Sequence, residues 1–229
     1  MKKLWKFTVR AFIILFILQL VYIVTLKWIN PPITLTQLNS WVEGHGLNRH
    51  YISYEKMPKT IKLAVIASED QLFAEHNGFD KKSIEKALEF NQKNENKKVR
   101  GASTISQQVA KNVFLWQKRS WFRKALEVYF TFMIEKIWGK ERILEMYLNV
   151  SEMGIGTFGI EAASQRYFQK PATQLNRNEA ARIAVSLPQP KKHKVNPPSK
   201  YVSSRAKWVE KQMRNLEAYP AYKAFFKEK

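Results

Sequence analysis

WFRKALEVYFTFMIEKIWGKERILEMYLN, residues 121–149, is the stretch whose spacing decides the fold. Leu126, Phe130, Met133, Ile134, Ile137, Ile143, Leu144, Tyr147 and Leu148 recur at three- and four-residue intervals, the period of a helix with one buried face. Trp138-Gly139-Lys140 interrupts the run, and glycine disfavours a helix interior by about 1 kcal/mol, so two helices are predicted. Working outward, Ile61, Val65 and Ile66 followed by Leu72 and Phe73 continue the pattern from Lys59 onward. Residues 161–167 and 178–187 read as short helices, and residues 203–216 as a last one. Pro188, Pro190, Pro197 and Pro198 mark an irregular crossing before it. Strand signals are few, no repeat is evident, and the fold class is all-α.

The chain has 229 residues, 45% hydrophobic and 13% aromatic, enough for one domain and an appendage. With no cysteine there is neither a disulfide framework nor a thiolate metal site. The four histidines, His45, His50, His76 and His193, form no HExxH pair, which argues against a zinc enzyme. Net charge is +20, from 39 Lys+Arg against 19 Asp+Glu. Such a field attracts nucleic acid, acidic phospholipid or phosphorylated substrates, and the number alone does not choose among them.

The N-terminus does. Lys2, Lys3, Lys6 and Arg10 precede an apolar run over residues 11–26, broken only by Gln19 and Thr25 and closed by Lys27. Sixteen helical residues rise about 24 Å against a hydrocarbon core of about 30 Å. Counting 7–9 and 28–29, with Arg10 and Lys27 reaching toward headgroups, completes a span. Trp5, Tyr22 and Trp28 lie near its ends, where amphipathic rings prefer to sit. A cleaved signal peptide is the alternative, but residues 24–28 (VTLKW) offer no small-residue cleavage site. The division expected is a cytoplasmic basic N-terminus (1–10), a transmembrane anchor (11–29), a juxtamembrane connector (30–58) and one domain (59–229). The basic flank places that domain outside, where a nucleic-acid partner is not expected.

Three clusters carry reactive groups. In SEDQLFAEHNGFD (68–80), Glu69, Leu72, Phe73 and His76 would share one helix face. A carboxylate among apolar residues has a raised pKa suited to a base at neutral pH; the plain alternative is a pair of solvated acids. In GASTISQQVAKN (101–112) a small-residue turn leads into hydroxyls, Gln107, Gln108 and Lys111, a setting for an anionic or sugar ligand or else an ordinary N-cap. Lys111, Lys118, Arg119, Arg123 and Lys124 then supply cations ahead of Glu127, beside Trp116, Trp121 and Phe122. That basic and aromatic patch suits phosphates at a bilayer surface, though charged helix runs are commonly just solvated.

GIGTFG (154–159) fits GxGxxG, but no strand is read before it and no acid follows about twenty residues on. SYEK (53–56) and SRAK (204–207) fit SxxK without an SDN or KTG partner. All three are set aside.

Over residues 61–213 the segments together resemble the peptidoglycan glycosyltransferase family, found alone or fused to penicillin-binding transpeptidases. SEDQLFAEHNGFD is similar to the family's ED-x-x-F-x-x-H-x-G-x-D, and GASTISQQVAKN to GGSTITQQLAKN. Residues 123–149 are similar to RK-x-x-E…K-x-x-ILE-x-YLN, and GIGTFGIEAASQRYFQK (154–170) with NEAARIAVSLPQP (178–190) completes the set. Ala102, Ser106, Phe158 and Gln169 replace the usual Gly, Thr, Tyr and Gly, and no ionisable group is lost.

The resemblance implies a monofunctional enzyme with a lysozyme-like, two-lobed all-α domain after a single N-terminal transmembrane helix. It implies a cell inner-membrane location, single-pass, with the catalytic domain in the periplasm. Its substrates would be lipid II and the growing glycan strand. It implies that Glu69 is the general base, that Lys111 and Arg119 hold the donor pyrophosphate, and that Glu127 is a second acid acting through Mg2+ or Mn2+. Ser103, Gln107, Gln108 and Asp70 would line the cleft, with Arg123 and Lys124 among the substrate-binding cations. Anionic lipid and other cell-wall synthesis or division proteins are the further partners expected. Two other readings are a muramidase, which needs no pyrophosphate clamp, and a non-catalytic membrane scaffold that would tolerate loss of Glu69.

Overall fold

The structure, a computed structural model, describes residues 1–94 and 101–226. Eleven helices are present among them: α1 (Lys2–Thr25), α2 (Leu35–Val42), α3 (Lys59–Glu69), α4 (Lys81–Lys93), α5 (Ile105–Phe114), α6 (Trp121–Ile137), α7 (Lys140–Val150), α8 (Ile160–Phe168), α9 (Arg177–Ser186), α10 (Lys200–Ala218) and α11 (Pro220–Phe225). Three short strands, β1 (Asn48–Arg49), β2 (Glu152–Gly154) and β3 (Thr157–Phe158), form a small sheet in the order β1-β3-β2. The all-α reading therefore holds.

The helices pack in two groups. α3 packs on α9 and α10, and α5 packs on α6 and α7. The break read at Gly139 is where α6 gives way to α7, with φ +80°, a conformation glycine adopts without steric cost. Ile61, Val65, Ile66, Ile134, Ile143 and Leu148 are fully buried in one continuous core.

Three expectations are corrected. The helix containing Glu69 does not continue through His76: α3 stops at Glu69, and Asp70 leaves helical geometry at φ −160°, ψ 78°. Leu72, Phe73 and His76 sit on a turn, so the shared helix face does not exist. Residues 91–100, read as a loop, begin inside α4, which runs to Lys93 on an apolar spacing that includes buried Ala87; residues 95–100 lie outside the described residues. The last helix is longer than read, and a further one, α11, follows it with Pro220 in its first turn. From α11 the buried Tyr222 donates its hydroxyl to the Gln71 carbonyl at 3.2 Å and accepts the Ala74 N–H at 3.3 Å, bracing that turn.

α1 is the one helix among the described residues long and apolar enough to cross a membrane, and it is the membrane anchor. Its outer turns are exposed, but Ile23 and Leu26 are buried in the domain core. The Trp138 indole donates to the Ile23 carbonyl at 2.8 Å. Arg142 donates to the Leu26 carbonyl at 2.9 and 3.0 Å and to the Ile29 carbonyl at 2.9 Å. The Ile23 and Leu26 carbonyls lie in the last turn and C-cap of α1, its negative dipole end, so the Trp138 indole meets one and the Arg142 guanidinium meets the other and brings positive charge there. The anchor is docked on the domain rather than loosely strung to it.

Replacing Arg142 with Gln is expected to cost about 1–3 kcal/mol, the penalty of leaving such acceptors unmet. Hydrogen exchange in detergent should quicken over residues 23–29 while α9 and α10 stay protected.

Candidate active site

Asp70 ends α3 by turning its side chain inward. Its carboxylate accepts the His76 Nε2–H at 2.9 and 3.1 Å and the backbone N–H of Ile105, the first residue of α5, at 2.9 Å. His76 Nδ1 in turn accepts the Gly78 N–H at 3.1 Å. Gly78 has φ +89°, and a Cβ there would meet Thr131 at 2.8 Å, so only glycine fits. The Gly78 carbonyl takes the Thr104 hydroxyl at 2.7 Å. Two segments about thirty residues apart are thus sewn into one wall.

On that wall lies Glu69, the last residue of α3. Gln108 Nε2 donates to its Oε2 at 3.0 Å, and the Ser68 hydroxyl reaches Oε1 at 3.3 Å. Burial pushes the Glu69 carboxyl above its ordinary range, opposed by the Gln108 and Ser68 hydrogen bonds and by Arg205, with Asp70 adding to the rise. A cleft of about 710 Å³ opens in front of it, walled by Ser103, Gln108, Asp80, Ser83 and Lys86.

One helical turn beyond Gln108, about 4.5 Å along α5, comes Lys111. Burial pushes its ammonium below the ordinary lysine range; Glu127 pulls it back up, while Arg123, Lys124 and Arg119 push it down. Glu127, only 3% exposed, accepts from Arg123 Nη1 at 2.6 Å and from Lys124 Nζ at 2.5 Å. Arg119 is exposed on the α5–α6 connection. The site therefore has two zones joined by α5: a desolvated carboxylate on α3 with its amide partner Gln108, then Lys111 among cations around one buried acid of α6. That arrangement can accept a proton at one end and hold an anionic group at the other.

The structure brings Glu69, Gln108 and Ser103 to the cleft and Lys111, Arg119, Arg123 and Lys124 into the cationic zone. Two expected roles change. Gln107 is 3% exposed, and its Oε1 accepts the Thr104 N–H at 3.1 Å in a capping box, so it holds the start of α5 and does not face a ligand. Asp70 reaches the cleft floor, but both oxygens are taken by protein donors, which makes it a brace. Each Glu127 oxygen holds a cation, so a Mg2+ or Mn2+ ion there would be shared between this one carboxylate and substrate phosphates. Ser83 and Lys86 on the cleft wall, and Tyr147 behind Gln108, were not read as site residues. Tyr147 was visible only as one member of an apolar stripe.

The chain matches the family described as Transglycosylase over residues 36–214. It is 46% identical over 231 aligned residues to the biosynthetic peptidoglycan transglycosylase of Shigella boydii serotype 4 (strain Sb227), covering 94% of this chain and 95% of that protein. It is 46% identical, with the same coverage, to the protein of that name from Escherichia coli (strain K12 / DH10B).

Because the Glu69 carboxyl is held above its unfolded value, its contribution to stability is full below about pH 4.3, the unfolded pKa, and is lost as pH rises through the folded one. Glu69→Gln removes that titration. Its melting temperature should match the parent in acid and exceed it increasingly as pH climbs toward neutrality, each tenfold difference in proton affinity adding about 1.4 kcal/mol.

Proposed function

This chain belongs to the transglycosylase family, and we propose that it builds peptidoglycan glycan strands with Glu69 as the base of the transfer. It is a peptidoglycan glycosyltransferase whose substrates are lipid II and the growing glycan strand. One observation carries the assignment of roles: a buried carboxylate of raised basicity opens on a cleft, and its amide partner Gln108 stands one turn of α5 from Lys111, the centre of a cation group.

In this reading the 4-hydroxyl of the acceptor's N-acetylglucosamine sits within reach of Glu69. Its oxygen attacks C1 of the N-acetylmuramic acid that ends the lipid-linked strand. Glu69 takes the hydroxyl proton as the new bond forms. The bond from C1 to the pyrophosphate oxygen breaks with its electron pair leaving on undecaprenyl pyrophosphate, and configuration at C1 inverts. Lys111 and Arg119 face the charge that grows on that leaving group, the kind of prearranged stabilisation that acts mainly in the transition state. Arg123 and Lys124, gathered by Glu127, reinforce it. No step is assigned to a divalent ion.

A hydrolase on the same scaffold would need a second free carboxylate across the cleft to handle water. The other acids of the cleft are engaged, Asp70 with His76 and the Ile105 N–H and Asp80 with the Ser83 N–H and hydroxyl, and the cation group would have no work to do.

The membrane supports the same reading. α6 exposes Trp121, Phe122, Val128 and Phe132, with Trp121 91% exposed, beside Lys118 and Arg119. Such a face suits anionic lipid at the surface from which lipid II is presented. Lys2, Lys3, Lys6 and Arg10 keep the N-terminus cytoplasmic, which puts the cleft on the periplasmic side of the inner membrane. Other cell-wall synthesis or division proteins would meet the enzyme there.

On labelled lipid II, Glu69→Gln should lower polymer formation by about 10²- to 10⁴-fold, the worth of a positioned base, with the fold retained. Full activity in that variant would remove Glu69 from the role. Lys111→Met should also depress product ladders on the gel, and hydrolytic shortening of preformed glycan should be absent in the parent.

A further inference from the structure

Gln108 carries an ambiguity that its environment must resolve. Its amide has an oxygen end and an NH2 end of nearly the same shape, and only the NH2 end can donate to a carboxylate. Turned over, the amide would press Oε1 against Glu69, acceptor against acceptor. The orientation is set from behind. Tyr147, on α7 and 1% exposed, donates its hydroxyl to Gln108 Oε1 at 3.2 Å, while Gln108 Nε2 donates to Glu69 Oε2 at 3.0 Å. The chain Tyr147 → Gln108 → Glu69 joins α7, α5 and α3, so a core residue of one lobe reaches the reactive group of the other.

We propose that Tyr147 is a positioning residue that locks the Gln108 amide in the one orientation that donates to Glu69. This rests on Glu69 being the base. Burial drives the phenol well above its ordinary pKa, so it stays a donor across any working pH. The lock has two consequences for the carboxylate. Holding Oε2 leaves Oε1, with only the long Ser68 contact, turned to the incoming hydroxyl. Donation to the ionised form also restrains the rise in basicity that burial imposes. The other groups acting on Glu69 are Asp70, Ser68 and Arg205, and none of them belongs to α7.

Full-length parent, Tyr147→Phe, Gln108→Leu, the double variant and Glu69→Gln are compared on labelled lipid II, reading kcat, KM, the pH profile of kcat/KM and a thermal melt. Tyr147→Phe keeps the ring and removes the donor. It should lower kcat about five- to tenfold, the worth of one hydrogen bond, with KM little changed and the acid limb of the profile moved to higher pH. Gln108→Leu should move the limb the same way, and the double variant should show no further loss, as expected for residues acting in series. The proposal is overturned if Tyr147→Phe lowers only the melting temperature, if Gln108→Leu leaves the limb in place, or if the two losses multiply. Activity retained in Glu69→Gln overturns the base assignment instead, whereas loss there with an unmoved Tyr147→Phe profile overturns the lock alone.

Discussion

The carboxylate of Asp70 is the interaction on which the site hangs. Placing a charge in a protein interior is expensive unless donors replace the water it loses. Here the imidazole of His76 and the backbone N–H of Ile105 do so. The first fixes the turn that follows α3; the second fixes where α5 begins relative to α3. With those two distances set, Glu69 stands at a helix end, Gln108 one turn into α5 and Lys111 one turn further. Removing the Asp70 charge would leave two donors, the His76 imidazole and the Ile105 N–H, without an acceptor and release the spacing between base and cations together.

A second constraint sets the height of the cleft. Lipid-linked substrates keep their tails in the bilayer, so a polymerase must work at a fixed distance from it. Trp138 and Arg142 bind the carbonyls at the end of α1, and Ile23 and Leu26 continue that helix into the core. Membrane and active site are therefore coupled through rigid elements: α1 seats on α6 and α7, α7 carries Tyr147, and α6 carries Glu127. Under the proposed function the exposed stripe of α6, with Trp121 and Phe122, is the part of the domain that would meet that lipid.

Local chemistry made part of this legible. Gly139 marks the α6–α7 break because its residue type permits the positive φ found there. The candidate bases and cations were legible as residue types, and Thr104-x-x-Gln107 is a capping-box pattern that could have shown Gln107 to be structural. The end of α3 was not legible: neither glycine nor proline follows Glu69, and the helix stops because Asp70 has a partner 35 residues away. The Glu69–Gln108 and Gln108–Tyr147 bonds each span 39 residues, and periodicity holds no information about such pairs. Tyr147 was hidden by its own success as a core residue, since a phenol buried for packing and one buried for its hydroxyl give the same stripe.

The net charge of +20 means something different once its geography is known. Scattered lysines would attract any polyanion, with an attraction screened over about 8–10 Å of ordinary salt solution. Lys111 is not of that kind. Burial holds its ammonium below the ordinary lysine range, with Glu127 acting against this and Arg123, Lys124 and Arg119 adding to it. Glu127 is itself divided between Arg123 and Lys124, so it gathers cations without neutralising them. The zone is left short of negative charge, and its more enclosed members, Lys111 and Arg123, are screened less than the exposed Arg119. An anion entering there relieves the repulsion as well as forming new contacts, and it relieves more as its charge grows. A pyrophosphate gains negative charge when its bond to sugar breaks. Under the proposed reaction that growing charge falls among these side chains, and a zone that holds the leaving anion more tightly than the ground state would act as a catalyst.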